Sequence, residues 1–358
     1  MPLHFTTGPD AQRGGLDITF NLPYKEALTV GPADADELAN LLHTALWGLS
    51  VLRTGKDHRL DESEDQVQPI TADDWPGLIS HLETARTTLL TGITAAAIRA
   101  HHTSGGSIGH LARAMDTARS TAQARQDKVL KHPAGDWETW AAQPAEPHPD
   151  IRDGWSYTID LHPEEAKHVG FEAQQFADWM DTALWGLVML RTGVNPRAEG
   201  GARPAGPDDW YWVFVHLVHR LEPRIRGITD AAVRTHAGMG GTVTDLAVAM
   251  GVPTKTAQKR REKIVKEFPG GWERWALMGG TQGGDHTEED AANPAFHVPL
   301  PAHVTQVVEI AAKDGRVGTT CTCGWTSEGR TVDTLKAAQW GETHKQEMAV
   351  KDTTLSRR

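Results

Sequence analysis

Residues 72–141 align without a gap on residues 207–276, with 29 of 70 positions identical. A chain that repeats itself over such a length folds as two copies of one unit, so an element assigned in one copy is predicted in the other. The matches include Asp73-Asp74-Trp75 with Asp208-Asp209-Trp210 and Gly92-Ile93-Thr94 with Gly227-Ile228-Thr229. They also include Thr121-Ala122-Gln123 with Thr256-Ala257-Gln258, and Trp137-Glu138 with Trp272-Glu273. Upstream, ALWGL at 45–49 returns at 183–187 and RTG at 53–55 returns at 191–193. A short strand read over Asp17 to Leu22 recurs as Tyr157 to Leu161. The chain is a tandem duplication joined by the Pro-rich linker QPAEPHPD at 143–150.

Within each copy the apolar spacing is helical. Leu38, Leu41, Leu42, Ala45, Leu46, Leu49 and Leu52 share one face and end at Arg53-Thr54-Gly55, a left-handed stop. A second helix is predicted to start at Asp73-Asp74-Trp75, whose acids suit a helix N-terminus, and a third to run from Ile93 to His101. The expected fold is mainly α: two tandem homologous helical domains and a small C-terminal α+β domain. The expected boundaries are a tail at 1–15, a first repeat at 16–141, a linker at 142–154 and a second repeat at 155–278. A Gly-rich acidic linker at 279–296 follows, then the small unit at 297–349 and a tail at 350–358.

The most informative stretch is Thr242 to Lys266, TVTDLAVAMGVPTKTAQKRREKIVK. Val243, Leu246, Ala247 and Met250 give a short helix one apolar face, and Gly251 suits a left-handed turn. Thr254 is the predicted N-cap of a second helix carrying Lys255, Lys259, Arg260, Arg261, Lys263 and Lys266 against the single acid Glu262. On the strength of Ala247, Gly251, Val252, Thr256 and Ala257, these 25 residues resemble the helix-turn-helix of DNA-binding proteins. That resemblance implies that the second helix enters the major groove of double-stranded DNA. It implies contacts from Thr254, Lys255, Thr256, Gln258, Lys259, Arg260, Arg261, Lys263 and Lys266. Arg260 and Arg261 depart from the pattern, standing where such helices place apolar core residues; their stems are expected to line the core while their heads reach solvent or phosphate.

Ser107 to Lys131 is the corresponding stretch of the first copy, with Ser120, Thr121, Gln123, Arg125 and Lys128 as the matching DNA contacts. Asp116 replaces Gly251, and Ser120, Ala124 and Gln126 replace Lys255, Lys259 and Arg261. At these positions the first copy loses three cations, so weaker phosphate binding is expected from it. A tandem pair suits a pseudo-dimer with unequal half-sites, although the sequence leaves open whether the units are antiparallel or in direct repeat.

The net charge of −11 does not by itself advertise a nucleic-acid binder. Attraction to phosphate is set locally, because charges are screened over about 10 Å at ordinary ionic strength. There is no apolar run long enough to span a membrane, and MPLHFTTGPD lacks a signal peptide's basic start and apolar core. A cytoplasmic protein is expected, nucleoid-associated if it binds DNA, and the Ala, Gly, Asp, Arg and Trp usage fits a GC-rich bacterium.

The two cysteines, Cys321 and Cys323, alternate along a predicted strand in the C-terminal unit, with His344 on the helix that follows. Three such ligands suit Zn2+, with His303, His297 or Glu347 as a fourth. Two buried thiols and a surface histidine fit the same residues and are the commoner case. No phosphate-binding glycine loop, nucleophile elbow or nuclease-like acid cluster is present, so no enzyme is expected. The residues point to a DNA-binding transcriptional regulator or a genome or mobile-element maintenance factor, with the C-terminal unit available for self-association or a protein partner. The alternative is an adaptor whose helical units bind other proteins such as the transcription machinery.

Overall fold

The structure is a computed structural model that describes residues 4–5, 15–58, 68–145, 154–278, 305–311 and 316–321. It is mainly helical. In the first repeat the strand β1 (His4–Phe5) lies on β2 (Leu16–Leu22), followed by α1 (Tyr24–Val30) and α2 (Pro32–Thr54). An antiparallel pair of two-residue strands, β3 (Lys56–Asp57) with β4 (Gln68–Pro69), leads to α3 (Trp75–Ala85), a π-helical turn at Arg86–Leu90 and α4 (Thr91–Thr103). Then come α5 (Ile108–Ala114), α6 (Arg119–Lys131) and α7 (Asp136–Ala142).

The second repeat returns the same order: β5 (Trp155–Leu161), α8 (Pro163–Thr192), the hairpin β6 (Val194–Asn195) with β7 (Arg203–Pro204), and α9 (Pro207–Phe214). A π-helical turn at Val215–Leu221 leads into α10 (Glu222–Gly238), α11 (Val243–Ala249), α12 (Thr254–Lys266) and α13 (Gly271–Met278). One difference is that α8 is continuous where the first repeat breaks between α1 and α2. Gly31 there has φ 79° and Pro32 removes a backbone donor, so the helix cannot run through.

The predicted second and third helices are one rod. The helix from Trp75 passes through its π turn into Thr103 without a break, and the second copy does the same from Pro207 to Gly238. The polar run Arg86-Thr87-Thr88 interrupts the apolar period and reads as a gap, but the hydroxyls of Thr87 and Thr88 return hydrogen bonds to Glu83 and Thr84 carbonyls, and the backbone stays helical. The two rods pack antiparallel, α3 on α10 and α9 on α4. Each repeat therefore lends half of its long helix to the other, and one hydrophobic core runs through both.

The strands show the symmetry directly. β2 pairs antiparallel with β5, and the central pair is Thr19 with Thr158, equivalent residues whose hydroxyl oxygens are 2.9 Å apart. An element meeting its own equivalent across an antiparallel ladder is the mark of a two-fold axis, so the repeats are arranged as an isologous dimer within one chain. The arginine of each RTG motif fastens them. Arg53 donates to the His168 carbonyl (2.6 Å), the Glu172 carboxylate (2.9 Å) and the Trp275 carbonyl (3.2 Å). Arg191 donates to the equivalent Val30 carbonyl (2.5 Å), Asp34 carboxylate (2.8 Å) and Trp140 carbonyl (3.2 Å).

The repeated glycines are packing devices, approached by the main chain of Trp137 and Trp272, whose rings stay exposed. A Cβ on Gly92 would lie 2.4 Å from the Trp137 carbonyl oxygen, and one on Gly227 would lie 2.5 Å from that of Trp272. The WETWA and WERWA helices thus sit backbone to backbone on α4 and α10. Gly227→Ala is expected to cost about 2–3 kcal/mol, because a main chain rather than a flexible side chain must move. Urea unfolding measures this, and a loss under about 0.5 kcal/mol would contradict the contact.

The C-terminal strands β8 (Thr305–Ala311) and β9 (Arg316–Cys321) pair antiparallel. The helix read over 331–348 lies outside the described residues. Among the described residues no helix is long and apolar enough to cross a membrane.

Candidate nucleic-acid interface

In the second repeat, α11 and α12 meet at a tight turn built as its residues require. Thr242 caps α11 by accepting from the Asp245 N–H (3.1 Å). Gly251 takes φ 62°, and the Val252 N–H donates to the Ala247 carbonyl (3.1 Å) to close the helix end. The cap of α12 corrects the expectation: Pro253, in extended backbone, holds the N-cap position and Thr254 is the first helical residue, with no side-chain cap. Pro253 fixes the entry direction by its own φ, so the hydroxyl is not needed.

Ala257 and Ile264 of α12 are buried, whereas Thr254, Lys255, Thr256, Gln258, Lys259, Lys263 and Lys266 are exposed. A helix that buries those two positions points Lys255, Lys259 and Lys266 straight out and places Lys263 on the flank. Gln258 is steadied by Glu262 at 2.9 Å.

Two of the expected contacts are engaged within the protein. Arg260 reaches back across the pseudo-dimer to Glu83 of the first repeat and also pairs with Asp230 at 2.8 Å. Burial works against its charge, but the two carboxylates outweigh it and hold the guanidinium above the ordinary arginine pKa. Burial also works to raise Glu83, but Arg260 and Arg86 outweigh it and keep that carboxyl below its usual value. Arg261 donates to the Gly241 carbonyl at 2.8 Å. Both arginines are partly buried, and each head has a partner within the protein. Glu83 is far away in sequence, so spacing within the helix carries no sign of this pairing.

The first repeat has the same build. Ser107 caps α5 by accepting from the His110 N–H, and Asp116 occupies the left-handed position at φ 48°. It is the sole non-glycine residue with positive φ among the described residues. Asp116→Gly should therefore stabilise the protein by about 0.5–1 kcal/mol, read as a rise in thermal midpoint. An unchanged or lower midpoint would contradict the strain.

On α6 the candidate residues Ser120, Thr121, Gln123, Arg125 and Lys128 are all exposed, while Ala122 and Gln126 face inward. Gln126 is not an idle replacement for Arg261: its amide meets Nδ1 of His102 at 3.0 Å. Arg119, at the position of Thr254, is exposed as well. Arg125 turns to the Met115 sulfur, 3.8 Å away, rather than to a carboxylate.

The expected charge inequality between the copies therefore does not hold at the surface. Exposed cations on α6 are Arg119, Arg125, Lys128 and Lys131, and on α12 they are Lys255, Lys259, Lys263 and Lys266. The replaced positions leave out Arg119, and of the three cations they credit to the second copy one, Arg261, is engaged by a backbone carbonyl; Arg260, matched by Arg125, is engaged by Glu83 and Asp230.

The two basic helices stand on one side of the molecule. Thr121 and Arg125 of α6 share the walls of one open cleft, ≈ 840 Å³, with Lys259 and Lys263 of α12, over a floor from Glu222 to Asp230 of α10. Arg125 and Arg260 are equivalent residues and both line it, so the pseudo-two-fold passes between the helices.

The repeated histidines are structural. A Cβ on Gly106 would fall 2.2 Å from Nε2 of His101, and one on Gly241 would fall 2.1 Å from Nε2 of His236, so each ring fills the space its glycine leaves. Burial, with His110 and His102 nearby, lowers the pKa of His101 to about 4 and keeps the ring neutral. Of the candidate zinc ligands, Cys321 ends a described strand, whereas Cys323, His344 and the alternatives His303, His297 and Glu347 lie outside the described residues. No family model, no curated protein and no solved structure matches this chain.

Proposed function

We propose that this chain is a double-stranded DNA-binding protein in which α11–α12 and α5–α6 act as two helix-turn-helix units of an intramolecular dimer. The observation that carries the reading is the exposure of four cations on each second helix, on one side of the molecule, with the intervening apolar residues buried. Each phosphate such cations neutralise releases counterions, so affinity falls steeply with salt. Gln258 and Gln123, which suit adenine, hold equivalent places for reading base edges. The approximate two-fold implies an imperfect inverted repeat as target. Because both helices border one cleft, the half-sites are expected to lie closer than the full helical turn of about 34 Å used by separated dimers.

On this reading the protein works by equilibrium binding without catalysis, as a cytoplasmic transcriptional regulator or a maintenance factor for a chromosome or mobile element. The C-terminal unit recruits a partner or self-associates. The test is capture of sheared genomic DNA from the source organism at moderate salt, followed by sequencing. A few enriched loci sharing a compact inverted motif support site-specific regulation. Even coverage supports an architectural role, and no enrichment moves the protein to the adaptor reading.

A further inference from the structure

The pseudo-symmetry is broken at one place that the DNA-binding reading does not use. Between α4 and α7 of the first repeat and α8 and α9 of the second lies an open, largely apolar pocket of ≈ 810 Å³. Ala100, Ser104 and Ala142 form one wall, and Met189, Leu190 and Trp210 the other. At the equivalent place around Trp75, the second repeat carries Thr235, Met239 and Leu277 instead. The larger residues close it: Thr235 is 0% and Leu277 5% exposed, whereas Ala142 is exposed. The Arg234 side chain is likewise 0% exposed and its equivalent Arg99 34%.

The indole nitrogens tell the same story. The Trp75 N–H donates to the Met239 sulfur at 3.1 Å. Trp210 is its equivalent, 2% exposed, and its indole nitrogen is buried with no hydrogen-bond partner. Ser104 stands where Met239 would, but its hydroxyl donates to the His101 carbonyl at 3.0 Å and does not serve the indole. A buried donor without an acceptor is destabilising, and an acceptor that reached it would recover that cost. The two charged lining residues, Arg99 and Glu138, neutralise each other at 2.6 Å, so the walls favour an uncharged guest.

We propose that this pocket is a binding site for a small, uncharged, mainly apolar molecule bearing one hydrogen-bond acceptor, such as a carbonyl, directed to the Trp210 indole N–H. Its volume falls in the range of small-molecule sites, and apolar cavities take up apolar guests readily. Both repeats contribute walls, so the guest bridges them. The site exists once per chain because small residues opened it in one copy only.

The test uses prodan, an uncharged aromatic ketone whose emission shifts to the blue in a dry site, titrated against the full-length protein. Saturable binding of a single dye per chain is expected. Ser104→Met with Ala142→Leu, which installs the second repeat's residues, should weaken binding at least about ten-fold; Trp210→Phe, which keeps an aromatic ring and removes the donor, about five-fold. The reverse exchange, Met239→Ser with Leu277→Ala, should open a second equivalent site. Absence of saturable binding to the unmodified protein overturns the proposal. So does unchanged affinity in the filled variant or, should that variant not fold, in Trp210→Phe.

Discussion

Arg191→Ala is expected to lower the stability of the whole molecule by about 2–4 kcal/mol, the cost of removing a buried guanidinium that serves two carbonyls and a partly exposed carboxylate. The Arg191 side chain is 1% exposed, and its fork serves the Val30 and Trp140 carbonyls and the Asp34 carboxylate at once. Removing it orphans acceptors in three elements of the other repeat. Arg191→Lys should recover little, because an ammonium cannot spread its donors over that planar set. Arg53→Ala should have a comparable effect, since its acceptors occupy the equivalent positions. Chemical denaturation provides the measurement. The repeats share one core, so the loss should appear as a shift of a single cooperative transition rather than as release of one half. Two separated transitions, or a change under about 1 kcal/mol, would contradict an interlocked pseudo-dimer.

Lys255, Lys259 and Lys263 replaced together by alanine should weaken DNA binding by about 100-fold at low salt and reduce the steepness of its salt dependence by two to three units of log–log slope. All three are exposed, so the variant should fold as the parent does. The structure changes what is expected of the other copy. Arg119, Arg125 and Lys128 are also exposed, and their joint replacement should cost a similar amount, within about three-fold. A loss confined to the α12 set would restore the unequal pair that the aligned substitutions suggest. Arg260→Ala should behave differently from both sets: its guanidinium is committed to Glu83 and Asp230, so the loss should fall on stability before affinity.

Local periodicity and turn chemistry were legible in the sequence. The leucine face from Leu38 to Leu52 is buried in α2, and Gly55 takes the left-handed stop its position suggests. Gly251 and Asp116 occupy the turn positions that the alignment of the copies assigns them. What depends on long-range partners was not legible. Nothing in the spacing of Leu16 to Leu22 says that the strand pairs with its own equivalent. The continuity of α3 with α4 is hidden by a polar run that a π turn absorbs. The fate of Arg260 depends on Glu83, and the closeness of Gly227 to Trp272 depends on a helix that packs only once the chain has folded back. Much of the identity between the copies belongs to such close approaches, as with Gly92, Gly106, His101 and Trp137, so repeat conservation within the chain marks packing more than interface. The exposed cations, by contrast, sit partly at different positions on the two helices.

Equilibrium binding to a random-sequence duplex across a salt series tests whether the two exposed basic helices hold DNA by its phosphates. Clear binding at low salt is expected, with log affinity falling against log salt at a slope of about −4 or steeper, as when four or more phosphates are neutralised. No binding at low salt, or an affinity that salt leaves unchanged, would contradict it.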